Sequence, residues 1–592
     1  MVQRQYRSVI TAKPADALPG GVGHFLMGLA APLVWPTLWV SFGLLLLVPT
    51  VAFLLLAFSP AAFDQGNAWL TIDSFVEALK GPTLRGLLNS LVVGVATSAL
   101  ALAFGTALAW FMQRTTLFGK GLWTILIWAL MLSPSYLAAV GWENLVEPSG
   151  VLSQFGIDAT GIHDIIFGPI GVTWVLATRG VPFAYLAMAA GLLGIGRELE
   201  DAARVHGAAR WESLRITLTV LMPAMWSAVA IVFAESISDF GVASTLAANA
   251  HFPVATYTLY MAIDSMPIQF PVASAVGWFL VASAGLALFV QNRALKGRSF
   301  AVLSGRTRPA APQHLTATEQ AVALFAVVVF FGAALGVPIV GAITASLLKD
   351  FGAHFTIANL TLDNYRRALT SEDLIGPMVL SARLATIVAT LAVILGAFIG
   401  QLLSRRQVGF WARSLDLLLL GAVALPSTVL AAGYIFAYNL PILGTLGITL
   451  YGTLFLMGMA YLAAALPGTS RLLIGPLAQM QRSLVDAARV HGASEGYAVL
   501  TTVVPLMARS LIWAWLLTFS GTFLELPISQ ILFPPGQEPL AVGIIKHLQN
   551  YDFAGGSAMM ILAVLGIIVV VGILLGGFRL FGPTGWQRMK TR

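Results

Sequence analysis

The sequence predicts an all-α membrane protein built from two similar six-helix halves, and three observations predict it. Hydrophobic residues make up 58% of the 592-residue chain and charged residues 10%, against roughly 25% charged for a soluble domain. Twelve apolar stretches are each long enough to cross about 30 Å of hydrocarbon at ~1.5 Å per residue. The heptapeptide DAARVHG occurs twice, at Asp201–Gly207 and Asp486–Gly492, an offset of 285 residues. A repeat spaced by nearly half the chain marks duplication.

In chain order, segment 1–36 is polar and basic at its start, with Arg4, Arg7 and Lys13. No short apolar region with a small-residue cleavage site follows, so a removed signal peptide is not expected. The apolar run 25–36 holds Pro32 and Pro36 and reads as an interfacial lead-in. The first half, 37–291, carries expected spans near 37–59, 89–112, 121–142, 168–193, 217–238 and 271–291. The link 292–320 is basic and proline-bearing, reads as a tether, and is what fusion of two paired subunits would leave. The second half, 321–578, carries spans near 321–347, 378–403, 414–438, 443–466, 502–524 and 555–578, and a tail, 579–592, ends the chain. Asn89-Ser90 and Leu380-Ser381 open corresponding spans, and each is followed by a basic turn and a span with Pro134 or Pro426. Six spans on each side of the tether imply a parallel repeat about an axis along the membrane normal.

Charge sets the orientation. Most of the 33 Lys and Arg fall in the segments that lie inside if the N-terminus is cytoplasmic. Asp64, Glu143, Glu147, Asp158 and Asp164 lie in the opposite loops. Cytoplasmic loops carry the excess of Lys and Arg, so both termini and both DAARVHG blocks of this multi-pass chain are expected in the cytoplasm. The formal charge of +7 is explained by these loops and does not call for nucleic acid. The chain has no cysteine, which excludes thiolate metal sites and cysteine nucleophiles. It has no G-x-x-x-x-G-K-[ST] phosphate loop and no HExxH or Ser/His/Asp arrangement. No catalytic residue and no metal ligand is therefore assigned, and His206 and His491 read as surface residues of the repeated block.

Within that block, Asp201, Ala202, Ala203 and their copies Asp486, Ala487, Ala488 suit the start of a helix, the acid facing its positive end. Gly207 and Gly492 then permit a left-handed turn. An apolar run leads to Pro223 or Pro505, which fix where the surface element ends. The spacing predicts two short helices joined by a tight turn.

This block resembles the coupling-loop motif of binding-protein-dependent ABC importer permeases: EAA, three residues, glycine, nine residues, isoleucine, any residue, Leu-Pro. Asp486-Ala487-Ala488, Gly492, Thr502 and Val504-Pro505 stand in those places. In the first half Asp201-Ala202-Ala203 and Gly207 match, and Pro223 arrives three residues late. The resemblance implies two fused permease domains of the ferric-iron transport type and two docking sites, one per half, for two copies of an ABC ATPase subunit. ATP and Mg would be bound by that partner, with no cofactor in this chain, and a periplasmic or lipoprotein-type binding protein would deliver substrate. Thiamine, 2-aminoethylphosphonate and polyamine are the other substrates implied.

Charge at membrane depth usually faces a bundle interior or cavity. The candidates for a path or outer mouth are Arg179, Glu235, Asp239 and Glu525, with Arg383 near a helix start. Asp239 and Glu525 occupy similar places and could serve a cation, meet a binding protein, or end a helix. Glu235 could line the path or pair with Arg179. An ion-coupled secondary transporter is the competing class, and it would need no ATPase.

Overall fold

The computed structural model describes residues 35–195, 205–207, 210–295, 312–404, 409–423, 425–480 and 483–581. The expectations for the N-terminal segment, the C-terminal tail beyond 581, and Asp201, Ala202 and Ala203 lie outside these residues.

The first half runs through α1 (Trp35–Leu56), α2 (Gly81–Arg114), α3 (Lys120–Leu132), α4 (Ser135–Val146), α5 (Pro169–Leu193), α6 (Met222–Ser238) and α7 (Phe270–Leu295). The second runs through α8 (Ala317–Ser346), α9 (Glu372–Leu403), α10 (Phe410–Val423), α11 (Ser427–Ala437), α12 (Leu454–Ala478), α13 (Val504–Phe523) and α14 (Phe553–Phe581). The element order repeats, and so does fine detail. Ser90 Oγ accepts the Ala255 N–H at 2.8 Å, and Ser381 Oγ accepts the Leu540 N–H at 2.8 Å. Each hydroxyl satisfies a donor at the start of a short helix that has no partner within its own helix. The Ser90/Ser381 correspondence seen in the sequence is thus a shared hydrogen bond.

Eight helices among the described residues are long and apolar enough to cross a membrane, or ten if each of two bent pairs is one span. The sequence predicts twelve. The expected spans 121–142 and 414–438 are each broken: α3 and α4 meet at 97°, α10 and α11 at 108°. Pro134 and Pro426 cause the breaks, because proline removes a ladder hydrogen bond and pushes the preceding residue out of the helical region. The expected span 217–238 is shorter, since α6 has only 17 residues, about 25 Å of helix. The expected span 443–466 is displaced: α12 starts at Leu454, where Thr453 caps it by accepting the Leu456 N–H. Helix occupies both ends of the stretch 292–320. The α7 helix continues to Leu295, and a Thr316–Glu319 capping box starts α8 at Ala317. Gln313 is also paired with the turn after α2, its N–H donating to Arg114 O at 2.7 Å.

The halves exchange their first helices. The α1 helix packs on α11 of the second half, and α8 packs on α4 of the first. Both contacts depend on glycine. A Cβ on Gly433 would stand 2.4 Å from Pro49 O, and one on Gly141 would stand 2.3 Å from Pro338 O. Pro49 also explains two tyrosines. It offers no N–H to the wide turn Gly43–Leu47 that precedes it, so carbonyls there lose their ladder partner. Tyr434 OH takes Leu45 O at 2.9 Å and Tyr438 OH takes Leu44 O at 2.6 Å.

At the end of the bundle opposite the DAARVHG blocks, Asp552 ties two elements together ahead of α14. Arg367 Nη2 donates to both its carboxylate oxygens, at 2.7 and 2.9 Å, and His547 Nδ1 lies 3.0 Å away. Burial opposes the Asp552 charge, but His547, the Gly555 N–H and Arg367 overcome it and hold the carboxyl at about 2. The bond to Asp552 raises His547 against its own burial, with Asp373 adding to the rise. The lowered carboxyl contributes stability above the unfolded value near ~4, lost as pH falls through about 2. The raised imidazole contributes stability below its unfolded value near ~6.5, lost as pH rises through its folded value. Asp552→Asn is therefore expected to cost on the order of 1–2 kcal/mol near pH 5–6. The loss should be smaller at pH 9, as read by thermal unfolding of the purified chain. Equal losses at both pH values would refute the His547 contribution.

Candidate functional site

The second DAARVHG block forms a helix–turn–helix. Ser483–Val490 is helical, with Asp486 in its first turn and Arg489 in its last. Gly492 closes it at φ +89°, its N–H donating to Arg489 O while the Ala493 N–H reaches back to Ala488 O. These two bonds make a Schellman close, in which glycine takes the left-handed position that other residues enter only with strain. The short helix Glu495–Ala498 follows, and α13 begins with Pro505 at its second position.

In the first block Gly207 is likewise left-handed, at φ +82°. Pro223 stands at the second position of α6, as Pro505 does in α13. The three extra residues in the sequence are taken up in the helix Arg210–Val220. The late proline does not shift the helix start it marks.

No residue of Ser483–Val490 is buried. Val490 and Val205 are 85% and 84% exposed, and Tyr497 and Leu500 are exposed beside the second block. The Cβ positions of Gly207 and Gly492 meet only open space. This is a surface presented outward, with apolar side chains that the described residues do not cover.

The polar residues at membrane depth gather near the helix breaks. Arg179 on α5 donates to Met131 O and, at 3.1 Å, to Ser133 O, carbonyls at the α3–α4 break. The matching position on α12, 285 residues on, is Ala464. Asp239 and Glu525 each start the segment that follows them. Asp239 Oδ1 accepts the Val242 N–H at 2.8 Å, and the two Glu525 oxygens accept those of Ile528 and Ser529 at 2.9 and 3.0 Å. They occupy equivalent places, and the bonds they make are those of helix-starting carboxylates. Glu235 is exposed, with Arg179 and Asp239 close enough to act on its carboxylate. No ion pair joins it to Arg179 among the described residues. Arg383 is exposed on α9, and His491 is exposed on the second block.

Three residues escape a reading by sequence. Tyr461 OH lies 2.7 Å from Ser529 Oγ, which also reaches Glu525 Oε2 at 3.1 Å. Tyr136 brings a buried hydroxyl from the first half, without a hydrogen-bond partner among the described residues. Nothing in the apolar periodicity marks them. Tyr461 and Ser529 meet within the second half, and Tyr136 comes near Tyr461 and Glu525 only because the two halves pack together.

No family model matches the chain. It is 23% identical over 517 residues to a ferric transport system permease protein of Actinobacillus pleuropneumoniae, covering 85% of this chain and 72% of that protein. It is 23% identical over 550 residues to a probable ABC transporter permease protein of Sinorhizobium fredii, covering 90% of this chain and 94% of the relative. Over 190 residues it is 32% identical to the molybdenum transport system permease protein of Escherichia coli, covering 31% of this chain and 81% of that protein. The chain belongs to the ABC transporter permease family. It is a multi-pass inner-membrane permease of the binding-protein-dependent type. The permease itself is not an enzyme, and ATP hydrolysis resides in a separate partner subunit. The family context pairs it with that ATPase and with a substrate-binding protein. Permeases of this type usually carry no cofactor in the membrane domain, and no cluster of three or more metal-binding His, Asp or Glu occurs among the described residues.

Proposed function

We propose that this permease carries ferric iron, with two six-span permease domains, 37–291 and 321–578, fused through the link 292–320. The observation that carries the reading is coverage. A ferric transport permease matches 85% of the chain, more than either half can supply, whereas the molybdenum permease matches 31%. Chemistry supports it. Glu235, Asp239 and Glu525 put three carboxylates near the helix breaks, and the nearby cation, Arg179, is occupied by backbone carbonyls. Three carboxylates against one cation disfavour an oxyanion by like-charge repulsion in a low dielectric.

Each DAARVHG element docks one ATPase subunit on the cytoplasmic side, where both termini also lie. Asp486 lies in the first turn of the first helix of the second element, Ala487 and Ala488 let that helix pack closely, and Gly207 and Gly492 turn the chain; Asp201, Ala202 and Ala203 hold the corresponding places in the first DAARVHG sequence. Pro223 and Pro505 set where the load passes into α6 and α13. ATP-driven closure of the two ATPases pushes both elements and opens the path outward, where a binding protein releases its cargo.

Uptake into proteoliposomes holding the permease, its ATPase and its binding protein tests the substrate. ATP-dependent accumulation of ferric iron is expected, with none of molybdate, thiamine, 2-aminoethylphosphonate or polyamine. Molybdate uptake without iron uptake would overturn the iron reading. Uptake driven by an ion gradient without ATPase would overturn the docking reading as well.

A further inference from the structure

A crevice of about 1490 Å³ opens between the two halves, with Ser133, Pro134 and Arg179 of the α3–α4 break among its lining residues. Its walls are helical stripes. On α13 and at its C-cap the lining positions are Arg509, Trp513, Leu516, Leu517, Ser520 and Leu524, the spacing of a single helix face. The α14 wall includes Val564, Leu565 and Ile568, and the α8 wall includes Val328, Leu335 and Ile339. From the first half, α3 supplies Ile125 and Trp128. Several of these are exposed, Ile125 by 65% and Ile568 by 59%. On a membrane protein, apolar side chains this exposed face lipid, and the crevice continues that surface inward between the halves.

Its charge is one-sided. No Asp or Glu is among the lining residues, and the two cations are Arg179 and Arg509. Arg179 is held by carbonyls at the α3–α4 break. Arg509 is exposed and makes no ion pair or hydrogen bond among the described residues. It stands in the second turn of α13, at the end nearer the DAARVHG element. From Arg509 to Leu524 the stripe runs about 22 Å, longer than one leaflet's ~15 Å of hydrocarbon. A free guanidinium at one end and an apolar slot beyond it fit a molecule with an anionic head and acyl tails. Basic pockets between membrane helices bind such headgroups.

We propose that this crevice is a binding site for an anionic phospholipid, its headgroup on Arg509 and an acyl chain along the α8, α13 and α14 stripes. The walls come from both halves, so the bound lipid fills the seam between them. The site does not depend on which substrate is carried.

The test uses the full chain reconstituted in equimolar phosphatidylglycerol and phosphatidylcholine, extracted gently, with retained lipid counted by native mass spectrometry. Preferential retention of phosphatidylglycerol is expected. Arg509→Gln should lower that retention about fivefold, the effect of one cation near an anionic headgroup, and Arg509→Lys should keep most of it. Leu565→Trp, which fills the slot, should displace the lipid while leaving Arg509 in place. Equal retention of the two lipids by the unaltered chain would overturn the proposal. So would phosphatidylglycerol retention that Arg509→Gln leaves unchanged, and because Arg509 is exposed, that variant should fold.

Discussion

Gly141→Val and Gly433→Val are each expected to abolish recovery of folded permease, with the alanine variants intermediate. At both positions an added Cβ would approach a backbone carbonyl of the other half, Pro338 O at 2.3 Å and Pro49 O at 2.4 Å. A carbonyl in a helix cannot rotate away as a side chain can, so the helices must separate. The contact is tight from both sides, since a Cβ on Gly341 would in turn stand 2.1 Å from Gly141 O. Overpacking a close contact costs about 1–3 kcal/mol, and valine adds two branches to what alanine already forces. Separation of α1 from α11 would also pull Leu44 O and Leu45 O from Tyr438 and Tyr434, leaving buried polar groups unpaired. Gly285→Ala on α7 is the control, because nothing lies within 4 Å of its Cβ. It should be neutral or slightly stabilising, as alanine favours helix by roughly 1 kcal/mol over glycine. Monodispersity and thermal unfolding in detergent decide. If Gly141→Ala behaves like Gly285→Ala, the exchanged helices do not hold the halves together.

The second large effect concerns the two docking elements. Gly207→Val and Gly492→Val should each reduce the ATPase captured with the permease from two copies to one, and the double variant should capture none. The substitutions act on the backbone alone. Both glycines sit at left-handed φ, +82° and +89°, and both Cβ positions face open space. A β-branched residue there costs roughly 1–2 kcal/mol and displaces the Schellman close that orients the helix Ser483–Val490. The membrane helices keep their contacts, so the variants should purify as well as the parent. A loss of about tenfold in affinity per ~1.4 kcal/mol is enough to empty a micromolar site during purification. ATP-driven uptake should fall with the stoichiometry. Full capture by the double variant would remove the DAARVHG elements from the coupling mechanism.

The legible features in this sequence were those written in local chemistry. Composition and twelve apolar stretches indicated a membrane-spanning helical chain, because each helix satisfies its own backbone and needs only apolar residues around it. The repeated block was legible because a glycine turn and an acid at a helix start are local devices. Pro134 and Pro426 marked the positions of two breaks, but not bends of 97° and 108°, which depend on what packs beside them. Asp239 and Glu525 were visible as polar residues in apolar surroundings, while their bonds to Val242, Ile528 and Ser529 appear only in the fold.

What the sequence determined by itself is the class of protein, the repetition of the DAARVHG block, and the residues of its glycine turns. Periodicity and turn chemistry act over a few residues, and a single chain displays them directly. The tertiary structure alone decided that the halves exchange α1 and α8, and that Tyr434 and Tyr438 answer carbonyls nearly four hundred residues away. It alone placed Arg179 on the break and Arg509 at one end of an apolar crevice between the halves. Those facts depend on which helix faces which, and in a chain this apolar nearly every helix face is hydrophobic. Selection among faces then falls to glycine clearances and single hydrogen bonds, which come into being only when distant segments meet.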